Sequence, residues 1–258
     1  MGKPVLVISG ASVGYGKGGN AVTVVTSIDA KLESGELVAL IGCNGAGKST
    51  LLRTIAAYQP PLSGKVEYCG CDSADMSSQS MSRLISVVLT TPVSPLLTVR
   101  ELVSLGRTPY TNFLGHLSVA DKEAVDSAME EMGVLELADR QVATLSDGER
   151  QKCMVAKAIA QQTPLLLLDE PTAFLDYPSK VHLLRMLKKF SSEKGMAVLV
   201  STHDLELALR LSDRIWLIDN GNMHCGTVEE LSQNGLLQSF IGGETIRYNS
   251  KENRIEII

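Results

Sequence analysis

Apolar residues recur along this chain in two rhythms. Short and largely apolar runs at 5–8, 22–28, 37–41, 84–89, 165–168, 197–200 and 214–218 have the length and β-branched character of strands. Several are apolar at every position, as strands buried on both faces are. Helical spacing follows three of them. Leu51, Leu52, Ile55 and Ala56 come after the run at 37–41, Leu183, Leu184, Leu187 and Phe190 after that at 165–168, and Leu205, Ala208 and Leu209 after that at 197–200. The pattern predicts strand then helix, repeated, around a sheet flanked by helices: an α/β protein.

Between 93 and 161 the strand signals stop, and helical segments at 99–106 and 120–132 take over. The expectation is one domain over 1–258, with a core built from 1–92 and 162–243 and a helical subdomain inserted at 93–161. In 244–258, Ile246 and Tyr248, then Ile255 and Ile257, alternate around the polar stretch 249–253, which predicts a C-terminal β-hairpin. No internal repeat or low-complexity segment is visible.

Composition narrows the class. In 258 residues, 44% apolar and 21% charged is the profile of a packed globular protein. With 24 Lys and Arg against 29 Asp and Glu the net charge is −5, which argues against broad binding to nucleic acid phosphates. The cysteines at 43, 69, 71, 153 and 225 are odd in number and scattered, unlike a disulfide framework, and point to a reducing compartment. Apolar runs of five such as 37–41 fall far short of the roughly 18 residues a membrane span needs. The N-terminus lacks the longer apolar block of a signal peptide, so the chain is expected to stay where it is made.

Candidate chemistry begins after the run at 37–41. Gly42-Cys-Asn-Gly-Ala-Gly-Lys-Ser-Thr50 fits G-x-x-x-x-G-K-[ST] and lies between a strand and a helix, where a phosphate-binding loop belongs. Gly42, Gly45 and Gly47, with Cys43, Asn44 and Ala46 between them, let the backbone wrap a phosphate with its N–H groups pointing inward, at the positive end of the following helix. Lys48 would neutralise the β and γ phosphates, and Ser49 would give its hydroxyl to Mg²⁺, with Thr50 completing the motif. Leu165-Leu-Leu-Leu-Asp-Glu170 supplies the other half of such a site. A buried strand delivers Asp169 to hold the metal's water shell and leaves Glu170 to act on an attacking water.

On these motifs the sequence resembles the ATP-binding subunits of ABC transporters over nearly its whole length. Leu145-Ser-Asp-Gly-Glu-Arg-Gln151 resembles that family's signature, comprising Ser146, Asp147, Gly148 and Glu149. Tyr15 occupies the place of the aromatic that stacks on adenine. Phe174-Leu-Asp176 resembles the D-loop, in which Asp176 links the two sites of a dimer. Ser201-Thr-His-Asp204 resembles the switch segment whose histidine, here His203, touches the γ phosphate. The resemblance implies a P-loop NTPase core with a mixed sheet, an antiparallel β part and an inserted helical subdomain. It also implies ATP and Mg²⁺ as cofactors, catalysis by Glu170, His203 and Lys48, and a head-to-tail homodimer in which the signature of one copy covers the ATP of the other. One chain alone is expected to hydrolyse poorly. Polytopic permease subunits, and indirectly an extracytoplasmic binding protein, follow as partners, at the cytoplasmic face of the membrane and with no role for nucleic acid.

The signature also has a purely local reading: Ser146-x-x-Glu149 before Met154, Val155, Ala158 and Ile159 is a capping box. Both readings hold together, because a capped helix N-terminus attracts phosphate. Three positions depart from the family pattern. Thr90 stands where the family has a metal-binding Gln, Asp147 and Glu149 bring negative charge to a phosphate-docking loop, and Cys43 replaces a frequent Pro, where packing accounts for it better than redox chemistry.

Leu97-Thr-Val-Arg-Glu-Leu-Val-Ser-Leu-Gly-Arg-Thr-Pro-Tyr110 and Leu117-Ser-Val-Ala-Asp-Lys122 resemble importers of iron(III) siderophores, haem and vitamin B12. Iron chelate is the expected cargo, with haem or cobalamin as alternatives. A non-transport ATPase of the same family acting on nucleic acid or ribosomes would bring a long coiled-coil insertion or two fused units, and this length leaves room for neither. Gly14-x-Gly16-x-x-Gly19 formally matches a dinucleotide fingerprint, but the β-like stretch 21–28 follows it where a helix is required. Cys69-x-Cys71 lacks the second pair of a zinc site. His116, His182 and His224 fall in no metal-ligand spacing of the sequence and read as structural or exposed, and Trp216 lies in an apolar run and reads as core.

Overall fold

A computed structural model describes residues 2–16, 20–89, 96–111, 115–242, 246–249 and 254–257. Five of the apolar runs, with one strand that the sequence pattern does not mark (Asn222–Gly226), form a six-stranded sheet. Its members are β3 (Leu37–Gly42), β6 (Ile85–Val88), β7 (Leu165–Leu168), β8 (Ala197–Ser201), β9 (Arg214–Asp219) and β10 (Asn222–Gly226), in spatial order β10-β9-β3-β8-β7-β6. All neighbours are parallel except the edge pair β9 and β10.

Strand period 2 divides the apolar residues between two cores. Leu37, Ala39, Ile41, Leu166 and Leu168 face one, and Val38, Leu40, Leu165 and Leu167 face the other. Helices fill the first side: α3 (Val99–Ser104), α4 (Val119–Glu131), α5 (Asp147–Ala160), α6 (Tyr177–Lys194), α7 (Leu205–Leu211), and the short α8 (Val228–Gln233) and α9 (Leu236–Ile241). The second side holds α1 (Lys48–Ile55) and a four-stranded antiparallel sheet of order β2-β1-β4-β5, made of β1 (Pro4–Tyr15), β2 (Val22–Glu33), β4 (Ser63–Tyr68) and β5 (Cys71–Asp72). The short α2 (Ser78–Ser82) leads into β6.

The structure extends several sequence expectations. The first strand runs to Tyr15 and the second to Glu33, with register shifts between Ile8 and Ala11 and again near Val13. Gly14 and Tyr15 pair with Thr23 and Val22, so the segment that formally matches a dinucleotide fingerprint is a strand end. A Cβ on Gly14 would lie 2.0 Å from the Val22 carbonyl oxygen, so glycine there serves close strand contact and no phosphate loop. Gly19 lies outside the described residues. In the tail, β11 (Ile246–Asn249) and β12 (Arg254–Ile257) pair antiparallel, and the Tyr248 N–H donates to Gln238 Oε1 at 2.9 Å. Trp216 is fully buried. Among the described residues no helix is long and apolar enough to cross a membrane.

Candidate functional site

β3 ends at Gly42 and hands the chain to the loop before α1. Gly47 has φ +106°, a left-handed conformation, and a Cβ there would lie 2.6 Å from Val24 Cγ1, so both conformation and space demand glycine. Gly45 is also left-handed, at φ +78°, but faces open space. No side chain caps α1 and its first turn carries no acid, which leaves the N-terminal amides to an anionic ligand. Lys48 is buried and its Nζ donates to the carbonyls of Gly42 at 2.8 Å and Cys43 at 3.1 Å. Burial pulls the Lys48 pKa down, and the charges of Glu170, Asp169 and Cys43 push the other way. The lysine therefore sits in the field of both predicted acids. Thr50 is buried, and its hydroxyl is hydrogen-bonded to the Tyr15 hydroxyl, which ties the half-exposed Tyr15 ring to the start of α1. Cys43 is an exposed free thiol.

The acids arrive from β7, two strands away. Asp169 continues the strand register, its N–H donating to the Val88 carbonyl at 2.9 Å. Glu170 then turns left-handed, with φ +49°. From β8, the Ser201 hydroxyl donates to Asp169 Oδ1 at 2.7 Å and accepts from the Glu170 N–H at 2.8 Å. His203 Nε2 lies 2.5 Å from Glu170 Oε1. The next residue, Asp204, caps α7 by accepting from the Leu207 N–H at 3.3 Å. Thus Lys48, Asp169, Glu170 and His203 converge at the carboxyl ends of parallel strands, the usual ligand edge of an open α/β sheet.

The signature residues sit on another element. Ser146 is the N-cap of α5: its hydroxyl accepts from the Glu149 N–H at 3.3 Å, and its own N–H and O–H donate to Glu149 Oε2 at 2.8 Å each. The backbone N–H of Ser146, then its hydroxyl, hold the Glu149 carboxyl below the usual carboxylate range. Asp147 is ion-paired with Arg150, and Arg140 lies 3.7 Å from Glu149. The two acids that the sequence sets at odds with a phosphate are each turned to a local partner. A Cβ on Gly148 would meet Leu175 Cδ2 at 3.3 Å, so the signature borders the segment that carries Asp176. Asp176 caps α6, accepting from the Ser179 N–H at 3.2 Å, and that residue holds its pKa down. Thr90 lies outside the described residues. Sequence reasoning missed the bridging role of Ser201; a lone hydroxyl ending the apolar run at 197–200 is the signal that points to it.

The comparisons with known proteins identify the family. The ABC transporter family profile matches residues 25–173. A cobalamin import ATP-binding protein of Halobacterium salinarum is 40% identical over 78% of this chain and 50% of its own length. A ferric enterobactin transport ATP-binding protein of Escherichia coli is 35% identical over 90% of this chain and 84% of its own. A bacterial ABC transporter cassette solved as a dimer superposes with a TM-score of 0.76 at 25% identity, covering 86% of this chain and 98% of that one. With the phosphate loop, the acidic strand and the signature helix in this arrangement, the chain belongs to the ABC transporter family, as one of its ATP-binding, ATP-hydrolysing subunits.

Proposed function

We propose that this chain powers the uptake of an iron(III) chelate through permease subunits, bound as a homodimer to the cytoplasmic face of the membrane. The observation that carries the reading is the convergence of Lys48, Asp169, Glu170 and His203 at one sheet edge beside an uncapped α1. In this reading the amides of 42–50 and the Lys48 ammonium hold the β and γ phosphates, and Tyr15 supports the adenine. Glu170 orients and polarises the attacking water, and His203, bonded to Glu170, contacts the γ phosphate.

The donors around Ser49 and Asp169 are hard oxygens, the chemistry Mg²⁺ selects. Among the described residues no group of three or more His, Cys, Asp and Glu is placed to hold a metal by itself, so phosphate oxygens and water would complete such a shell. When bound, Mg²⁺ supplies charge neutralisation on the transferring phosphoryl group. Thr90 is assigned to the same metal by its place in the sequence alone.

Ser146 and Gly148 are assigned to the γ phosphate of a second copy, and Asp176 to the link between the two sites. The exposed Phe174 and Tyr177 flank Asp176 and suit such a contact. The segment 93–161 is assigned to carry closure to the permease, with 1–92 and 162–243 as the nucleotide-binding core. The ferric enterobactin relative supports an iron-chelate cargo, and the cobalamin relative keeps a corrinoid as the second reading.

Glu170→Gln tests the chemistry. The variant is expected to bind ATP, dimerise and stall; turnover at the wild-type rate would remove Glu170 from its role. Co-expression with permease subunits, followed by ATPase assays with ferric chelates, haem and cobalamin presented by a binding protein, tests the cargo. Stimulation by cobalamin alone would reject the iron reading.

A further inference from the structure

β8 lies between the strand that carries the phosphate loop and the strand that carries the acids. Four of its five residues are apolar: Ala197, Val198, Leu199 and Val200. The fifth, Ser201, is completely buried. A buried hydroxyl on an otherwise apolar strand is costly unless it is bonded. Here it donates to Asp169 Oδ1 and accepts from the Glu170 N–H, so both capacities of the group are used.

Its two partners are consecutive residues with different tasks, and the second is left-handed at φ +49° without being glycine. Such a backbone persists only where its surroundings over-determine it. The Ser201 hydroxyl is the contact that holds the Glu170 amide in that turn, and the turn in turn brings the Glu170 carboxylate to His203 Nε2.

We infer that Ser201 is a positioning residue of the ATPase reaction, its single hydroxyl setting the Asp169 carboxylate and the Glu170 backbone in one geometry. The inference rests on the assignment of Asp169 and Glu170 above. It couples the orientation of the Asp169 carboxylate to the backbone turn from which the Glu170 side chain projects, since neither can move without breaking a bond to the same oxygen.

The test compares Ser201→Ala and Ser201→Thr with the wild-type chain, with Glu170→Gln as control. Removing the hydroxyl is expected to lower kcat about 10- to 100-fold, the usual loss when the partner of a ligating carboxylate is removed. Affinity for ATP in the presence of a chelator is expected to stay unchanged, because the loop and Lys48 are untouched. Mn²⁺ binding with ATP, followed by electron paramagnetic resonance, is expected to weaken. In the nucleotide-free chain, hydrogen exchange at the Glu170 amide is expected to speed up. Threonine keeps the hydroxyl and is expected to restore the exchange protection and kcat.

Wild-type kcat and exchange in Ser201→Ala, with Glu170→Gln stalled, would overturn the inference and leave the assignment of Glu170 standing. Parallel losses of kcat, metal-free ATP affinity and melting temperature, with no recovery in Ser201→Thr, would also overturn it, reducing Ser201 to packing. Wild-type turnover in Glu170→Gln would overturn the site assignment itself, and this inference with it.

Discussion

Two glycines of the phosphate loop separate conformational from spatial demand. Gly45→Ala carries only backbone strain, because nothing lies within 4 Å of its Cβ position. Gly47→Ala adds a collision with Val24 Cγ1 at 2.6 Å and Val25 Cγ2 at 3.0 Å to the same strain. The first substitution should cost about 1 kcal/mol, and the second should displace β2 or the loop and weaken ATP binding by at least about tenfold. Calorimetric titration with ATP on both variants checks the difference. Equal affinities would show that the β2 side chains give way freely. The local motifs were legible in sequence because their chemistry fixes residue types at short spacing: the loop at 42–50, the acids at 169 and 170, the Ser146 capping box. The contacts that join them were not. Glu170 meets His203 from 33 positions away, and Ser201 reaches Glu170 from 31, distances set by strand order and not by local pattern.

Helix termini between 98 and 149 share one device. Thr98 with Glu101, Ser118 with Asp121, and Ser146 with Glu149 form capping boxes, and all three carboxyls are held below their usual range by the capping residue. The cap's backbone N–H contributes most for Glu101 and Glu149, and its hydroxyl most for Asp121. A depressed folded pKa gives stability that is complete above the unfolded value, about pH 4, and is lost as pH falls through the folded value. Acidification should therefore loosen α3, α4 and α5, and the Asp176-capped start of α6, before the central strands. Hydrogen exchange from pH 6 to about pH 3 checks this; simultaneous loss of protection in β3 and β8 would refute it. Asp121 also meets the buried Arg107, whose Nε donates to Oδ1 at 2.8 Å. Arg107→Met should remove the buried charge partner of that carboxylate, leaving it only its Ser118 bonds, and cost about 3 kcal/mol, measurable as a lowered chemical-denaturation midpoint. Other elements escaped the sequence reading because their pattern is weak. In β4 only Val66 and Tyr68 are buried, β5 is two residues long, and α8 and α9 run six each.

At the scale of the whole molecule, the signature helix borders Leu175 at Gly148, and Phe174 and Tyr177 in the adjoining segment are exposed. If that face meets a second copy, ATPase activity per chain should rise with protein concentration, and Phe174→Ser should lower the rise while leaving ATP affinity of the single chain intact. Activity strictly proportional to concentration across the micromolar range would argue that one chain suffices.

The strand order has a consequence for how this molecule comes into being. The loop at 42–50 is made early, but β3, which carries it, lies between β8 and β9, both made more than 140 positions later, and the acids stand on the far side of β8. During synthesis the residues of the phosphate cradle are present long before the acids that would cleave what it holds. Hydrolytic competence arrives only when β8 slots between β3 and β7, so a long-range pairing is also the step that brings the acids to the loop.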